Sequence, residues 1–409
     1  MITEKIELRG HVIDTGQLGR VLDEVLEGGG DYLVERFVLG RSKDDESYAR
    51  IEVKADDTAT LREIMSRITQ EGVTAVDPKD ATIEPSPSDG VFPEGFYAST
   101  NLETHVRIAG EWVPVSNPEM DCALVVEGTT VCTVPMCDVR AGELVVVGSS
   151  GVKVTAPAAT PLADESVFEF MNSVVSSEKP QALLVRQIAE EMRQTKAAGK
   201  KILWVGGPAV VHTGGAGPMS DLVRAGYCDV LFAGNALATH DIEAAMYGTS
   251  LGVDLSKGSG VEHGHEHHLR AINRIRSYGS IPNAVAAGAL TSGIMHALVE
   301  QGCPFVLVGS VRDDGPLPDV YTDVIAGQRA MRGAIADVGF TIMVATMLHA
   351  IGTGNLLPAN IPLVCVDINP ATVTKLADRG SSHATGVVTD IGLFLEQLAD
   401  ELVPGRNRG

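Results

Sequence analysis

The chain has 409 residues, 44% of them hydrophobic and 21% charged, the composition of a soluble globular protein of two or three domains with a substantial core. Its 32 basic and 53 acidic side chains leave a formal charge of −21, and no basic block exceeds a few residues. Those features argue against nucleic acid and anionic membranes as partners, and no apolar run reaches membrane-spanning length.

Met1 leads directly into a charged strand rather than a secretion signal. The six cysteines are scattered through apolar runs without a CxxC pair, as expected of reduced thiols in a cytoplasmic protein. Residues 5–13 alternate like a strand. Leu18, Val21, Leu22, Val25 and Leu26 keep helical spacing, and Gly28-Gly29-Gly30 ends that helix. Residues 32–39 and 48–53 read as strands across a charged turn, 41–46. Leu61, Ile64, Met65 and Ile68 mark a second helix, and residues 73–76 close the unit. The order βαββαβ is the ferredoxin-like pattern. Residues 77–95, rich in Pro, Ser and Asp, read as a linker, so the first domain is assigned to residues 1–95.

Residues 96–164 read as a small β module with strands at 112–115, 122–126, 130–135 and 144–147. The small polar side chains from Phe96 to Asn101 either line a site or form a surface turn. Residues 165–409 form the third expected domain, helical over 165–199 with a break at Pro180. Six apolar strands then alternate with helices, at 202–205, 230–233, 305–308, 341–345, 364–368 and 386–389. That alternation predicts an α/β fold with a doubly wound parallel sheet.

Ligands of such sheets bind beyond the carboxyl ends of the strands, so the residues that follow each strand are the candidates. After 305–308 come Arg312, Asp313, Asp314 and Asp319, either a reactive loop or a solvated acidic turn. Gly206-Gly207-Pro208 allows close backbone approach to phosphates at a helix start, without a GxGxxG. Asp367 ends an apolar strand, where a carboxylate accepts two hydrogen bonds from a ribose diol. Asn369 before Pro370 reads as a helix cap. Asp390, before Ile391, reads equally as a cap or a ligand contact. Asn235-Ala236 follows a strand directly, and its amide suits a carboxamide or a phosphate. His349 follows Thr346-Met347-Leu348 at another strand end. His263 and His267 have a spacing that suits zinc on a helix. Gly258, Gly260 and Gly264 argue instead for a loop that closes on the site, so no metal is expected.

The segments DGVFPEGFYASTN, PMCDVRAGELVVVG, GSVRDDGPLPDV, ATMLHAIGTGN and CVDINPATVTKLADRG occur in that order along the chain. With them the chain resembles, nearly end to end, the archaeal-type ornithine cyclodeaminase family. The same unit is the C-terminal part of bifunctional arginine dihydrolase/ornithine cyclodeaminases and the LOR/SDH conserved domain. The resemblance implies a sheet similar to the NAD-binding fold of deoxyhypusine synthase. It implies NAD contacts at Asn235, Ala236, Asp314, Thr346, Met347, Leu348, His349, Asp367, Asp390 and Ile391. It also implies conversion of L-ornithine to L-proline and ammonia by transient hydride transfer to bound NAD.

Loop position and residue type nominate Asp313, Asp314 and His349 for acid–base work, and Arg312 for the substrate carboxylate. A cyclodeaminase acting on lysine or another diamino acid, and a non-catalytic NAD sensor, are the alternatives. A homo-oligomer, dimer or tetramer, is expected, because one face of the ferredoxin-like sheet needs cover. The chain's own β module is the alternative cover.

Overall fold

The computed structural model describes residues 2–10, 16–40, 47–70, 72–75, 79–155, 181–250, 253–254, 267–313, 315–377 and 384–406. Asp314, His263, the charged turn 41–46 and the expected helix before Pro180 lie outside them. The chain divides into two compact units, Met1–Ser166 with Asn355–Asn360, and Val167–Gly354 with Ile361–Gly409.

The first unit opens with strands β1 (Ile2–Gly10), β2 (Asp31–Val38), β3 (Ser47–Ala55) and β4 (Thr74–Ala75). They form an antiparallel sheet in the order β2-β3-β1-β4, the expected split βαβ arrangement. Helices Gln17–Glu27 and Thr58–Gln70 send Val21, Val25, Ile64 and Ile68 into one core with Ile6, Leu8, Ile51 and Val53. Alternation along β3 explains this, since every second residue is buried. The other face of the sheet carries a polar network beside exposed Leu33 and Val38: Glu7 binds Tyr48 and Arg50, and Lys5 pairs with Glu35.

A second sheet contains β5 (Thr82–Pro85), β6 (Glu103–Ile108), β7 (Glu111–Ser116), β8 (Ala123–Glu127), β9 (Thr130–Val134), β10 (Leu144–Val147) and β11 (Val152–Thr155). Its order is β11-β6-β7-β9-β8-β10-β5. Part of the expected linker is therefore strand β5, paired with β10 so that Leu144 faces Pro85. An edge position explains how a proline-ended, polar segment joins a ladder. Strands β6 and β11 were also not expected, because their apolar positions are few and alternate with charge. The segment Asn355–Asn360 belongs to this unit. Met120 N–H donates to the Asn355 carbonyl at 3.1 Å, and Ala359 N–H to the Asn101 carbonyl at 2.8 Å. The Asn101 amide donates to the Leu357 carbonyl at 3.3 Å.

The second unit is built on β12 (Lys201–Gly206), β13 (Val230–Gly234), β16 (Phe305–Val308), β17 (Val320–Tyr321), β18 (Val338–Val344), β19 (Leu363–Asp367) and β20 (Ala384–Val388). A two-stranded ribbon, β14 (Thr249–Ser250) with β15 (Val253–Asp254), stands apart from that sheet. The order β17-β16-β13-β12-β18-β19-β20 is parallel throughout. Strands β12 and β19 are buried along nearly their whole length, which is why they are continuous apolar runs. Strand β17 is an unexpected seventh strand; two residues are too short for a sequence pattern. From β12 the chain first adds strands outward on one side and then returns to place β18 on the other. The order thus reverses between β12 and β18, and that switch point is where this architecture opens a crevice. No helix among the described residues is long and apolar enough to cross a membrane.

Candidate active site at the switch point

At the carboxyl end of β12 the Gly207 N–H donates to the Val344 carbonyl at 2.9 Å. A β-carbon on Gly207 would lie 1.8 Å from the Ala345 carbonyl oxygen. Ala345 holds a left-handed φ of 55°, and its N–H donates to the Val366 carbonyl at 3.0 Å. The ends of β12, β18 and β19 are thus locked together by backbone alone, with no side chain projecting into the crevice from residue 207.

His349 begins beside this point, in helix Leu348–Leu356. Its ring lies across the ends of neighbouring strands: it bonds the Val308 carbonyl at the end of β16. A β-carbon on Gly234, at the end of β13, would lie 3.3 Å from its Cε1. Burial lowers the affinity of this imidazole for protons; the Val308 bond and the Asp313 carboxylate oppose that effect. Asp313 is held in its own loop. Its Oδ2 accepts from Ser310 N–H at 2.8 Å.

That loop is tied down on three sides. Leu317 N–H donates to Asn235 Oδ1 at 3.0 Å. Arg276 donates to the Pro316 carbonyl at 2.6 Å. Asp319 Oδ2 accepts from Ile281 N–H at 2.8 Å. Asp319 is therefore a structural anchor for helix Ile281–Ala286 rather than a third reactive carboxylate. Arg276, which had no distinguishing sequence context, is the anchor that sequence reasoning missed. Arg312 is exposed, and Val311 is fully so.

Asn235, Asp313 and His349 are brought together at the ends of β13 and β16. Ala236 follows Asn235 in the first turn of helix Asn235–Tyr247, whose N-cap, Gly234, offers no side-chain partner to the leading N–H groups. Such a helix start favours an anionic group.

Asp367, Asp390 and Ile391 lie on the other side, at the ends of β19 and β20. Asp367 is 9% exposed, and its Oδ1 accepts from Asn369 N–H at 2.8 Å. Asn369 is the cap it was expected to be, accepting from Ala371 N–H at 3.0 Å. Asp390 caps helix Ile391–Leu402 through Leu393 N–H. The Ile391 side chain is buried in the core, which leaves only its backbone to meet a ligand. Met347, Leu348, Ile368 and Val388 are exposed apolar side chains along the same carboxyl edge. Sequence reasoning missed the last two, although each adjoins a strand end.

The family model described as "Arginine dihydrolase ArgZ-like, C-terminal, Rossmann fold" matches residues 186–398. The "LOR/SDH bifunctional enzyme conserved region" matches residues 3–102, and the ArgZ-like C-terminal first region matches 103–185. The protein "Ornithine cyclodeaminase" of Methanothermobacter thermautotrophicus is 50% identical over 404 residues, covering 98% of both chains. The crystal structure of apo ArgZ, a cyanobacterial arginine dihydrolase, matches with a TM-score of 0.86 at 40% identity, covering 98% of this chain and 58% of that one. The ternary complex of AgrE with ornithine and NAD+ matches with a TM-score of 0.54 at 42% identity, covering 98% of this chain and 57% of that one. The present chain thus spans little more than half of each bifunctional protein, and nearly all of the archaeal one. It belongs to the family formed by the archaeal ornithine cyclodeaminases and the C-terminal part of the ArgZ-like arginine dihydrolases.

Proposed function

We propose that the protein is an NAD-dependent ornithine cyclodeaminase that converts L-ornithine to L-proline and ammonia. The observation that carries this reading is the convergence of His349, Asp313 and Asn235 beside the switch point of a Rossmann-type sheet. The residues present fit NAD. Asp367 keeps a second carboxylate oxygen for a ribose diol. The side-chain-free passage at Gly207 and the helix start at Ala236 suit its phosphates and amide. Thr346, Met347, Leu348 and the backbone at Asp390 and Ile391 complete its contacts. Bound NAD supplies a hydride acceptor that later acts as donor, so the reaction has no net redox change.

The chain's own part is proton handling and enclosure. Burial keeps His349 neutral near pH 7, so its ring can take a proton from an ammonium group and return it as ammonia leaves. Asp313 steadies that charge as it forms. Arg312, exposed in the same loop, is assigned the substrate carboxylate, which its guanidinium can hold in a bidentate fork. Val311 and Leu348, both highly exposed, would shield the reacting atoms from water once covered. We read the sheet as the deoxyhypusine synthase-like variant. Support comes from the ribose acid standing on β19, in the second half of the sheet, with no GxGxxG after β12.

Incubation with L-ornithine and catalytic NAD+ tests the reading. Proline and ammonia are expected in equal amounts, without accumulated NADH. Absence of proline over a wide pH range refutes it.

A further inference from the structure

Strand β2 stands at the edge of the four-stranded sheet and, among the described residues, pairs only with β3. Its eight residues leave a row of backbone N–H and C=O groups facing outward. Native edges of that length are normally blunted by proline, charged side chains, bulges or short length. This one has neither proline nor lysine, and beyond Asp31 its charges are confined to Glu35 and Arg36 at a single bulge. It carries exposed apolar side chains on both sides of its centre instead: Leu33 at 50%, Val34 at 39%, Phe37 at 42%, Val38 at 45% and, just beyond, Leu39 at 60%. The contrast with β3, which buries every second residue, marks β2 as a surface prepared for a partner.

The strand's sequence identifies the partner. Its centre is the pair Glu35-Arg36, flanked by Leu33-Val34 on one side and Phe37-Val38-Leu39 on the other. The register shifts between Val34 and Arg36, and this bulge brings both charges to the polar face. Glu35 pairs with Lys5 there, and the Arg36 guanidinium lies 5.8 Å from the Tyr48 ring centroid. A second copy laid antiparallel on this edge, about a two-fold axis near residues 35–36, sets apolar against apolar. It also sets Glu35 of each copy beside Arg36 of the other. Such an isologous contact satisfies both edges at once.

We infer that β2 pairs with the β2 of a second copy and continues the sheet through a two-fold dimer contact. This contact runs through the edge of the sheet, whereas the one expected from the sequence runs through its open face.

Light scattering on the whole protein and on Leu33→Lys/Phe37→Lys tests this. Wild type is expected at a multiple of 43.0 kDa and the double variant at half the wild-type mass. An unchanged mass in the variant overturns the proposal. A wild-type mass of one chain also overturns it and leaves the edge to a different partner. Should the double variant fail to fold, Arg36→Cys on a Cys137→Ser background decides the matter, since Cys137 is the exposed native thiol. Mild oxidation is expected to give a covalent dimer at that position and not with Asp31→Cys. No cross-link, or equal cross-linking at both positions, overturns it.

Discussion

Gly207 lies so close to Ala345 that a β-carbon at residue 207 would stand 1.8 Å from the Ala345 carbonyl oxygen. The obstacle is backbone at the junction of β12 and β18, so no side-chain movement relieves it. Gly207→Ala is expected to cost roughly 2–3 kcal/mol and to abolish NAD binding, as read by urea unfolding and cofactor titration. Ala345→Gly relieves a left-handed φ and is expected to stay within about 1 kcal/mol of wild type. A stable Gly207→Ala protein that binds NAD normally contradicts the crevice described here.

His349 reaches from the helix after β18 to the Val308 carbonyl. His349→Ala is expected to lower kcat by about 10²–10⁴-fold with the fold retained by circular dichroism. Burial places the folded imidazole below its ordinary value of 6.5. The unfolded chain therefore takes up this proton first as pH falls. The residue's contribution to stability is complete above pH 6.5 and is lost as pH drops toward the folded value. The acid limb of activity should likewise lie below pH 6.5 and vanish in the variant; an acid limb unchanged in His349→Ala removes this residue from proton transfer.

Asn235 Oδ1 and Leu317 N–H join residues 82 positions apart. Asn235→Ala leaves a buried donor without a partner, at a cost of about 1–3 kcal/mol, and should free the loop that carries Asp313. Faster hydrogen exchange at Leu317 is expected in Asn235→Ala and not in Asn235→Asp, which keeps the acceptor. Equal exchange in both variants argues that other ties hold the loop.

Asp241 accepts from Ile294 N–H and Met295 N–H, both at 2.8 Å, and so caps helix Ile294–Gln301 from a neighbouring helix. Burial outweighs those two bonds and pushes its carboxyl up to about 6. The folded value is above the unfolded 3.8, so the contribution to stability is fullest below pH 3.8 and falls as pH rises to about 6. Between pH 4 and 7 the advantage of wild type over Asp241→Asn should shrink by roughly 3 kcal/mol. An advantage that grows with pH contradicts this account.

Residue type and short-range pattern were enough for much of the fold. Buried parallel strands such as β19 are unbroken apolar runs because both faces are covered. Acids and amides at or directly after their ends, Asp367 and Asn235, could be nominated as site candidates for the same reason. Capping is local too, and Asn369 was recognised from the proline that follows it.

Other assignments waited for the tertiary structure, because their partners lie far away in the chain and leave no periodic trace. Asp319 and Asp313 look alike in sequence. Only closure of the sheet sends one to Ile281 N–H, 38 residues away, and leaves the other beside His349. Asn101 reads as a loop residue until the fold brings Leu357, 256 positions on, within reach of its amide. The glycine at 207 looked like one turn residue among several; its necessity comes from the carbonyl of Ala345, just past the end of β18 and 138 residues later. Sequence determined which groups stand at the strand ends, since burial pattern and local geometry act over a few residues. Tertiary structure decided which of them face the crevice and which hold the scaffold, since a hydrogen bond forms only where folding brings donor and acceptor within about 3 Å.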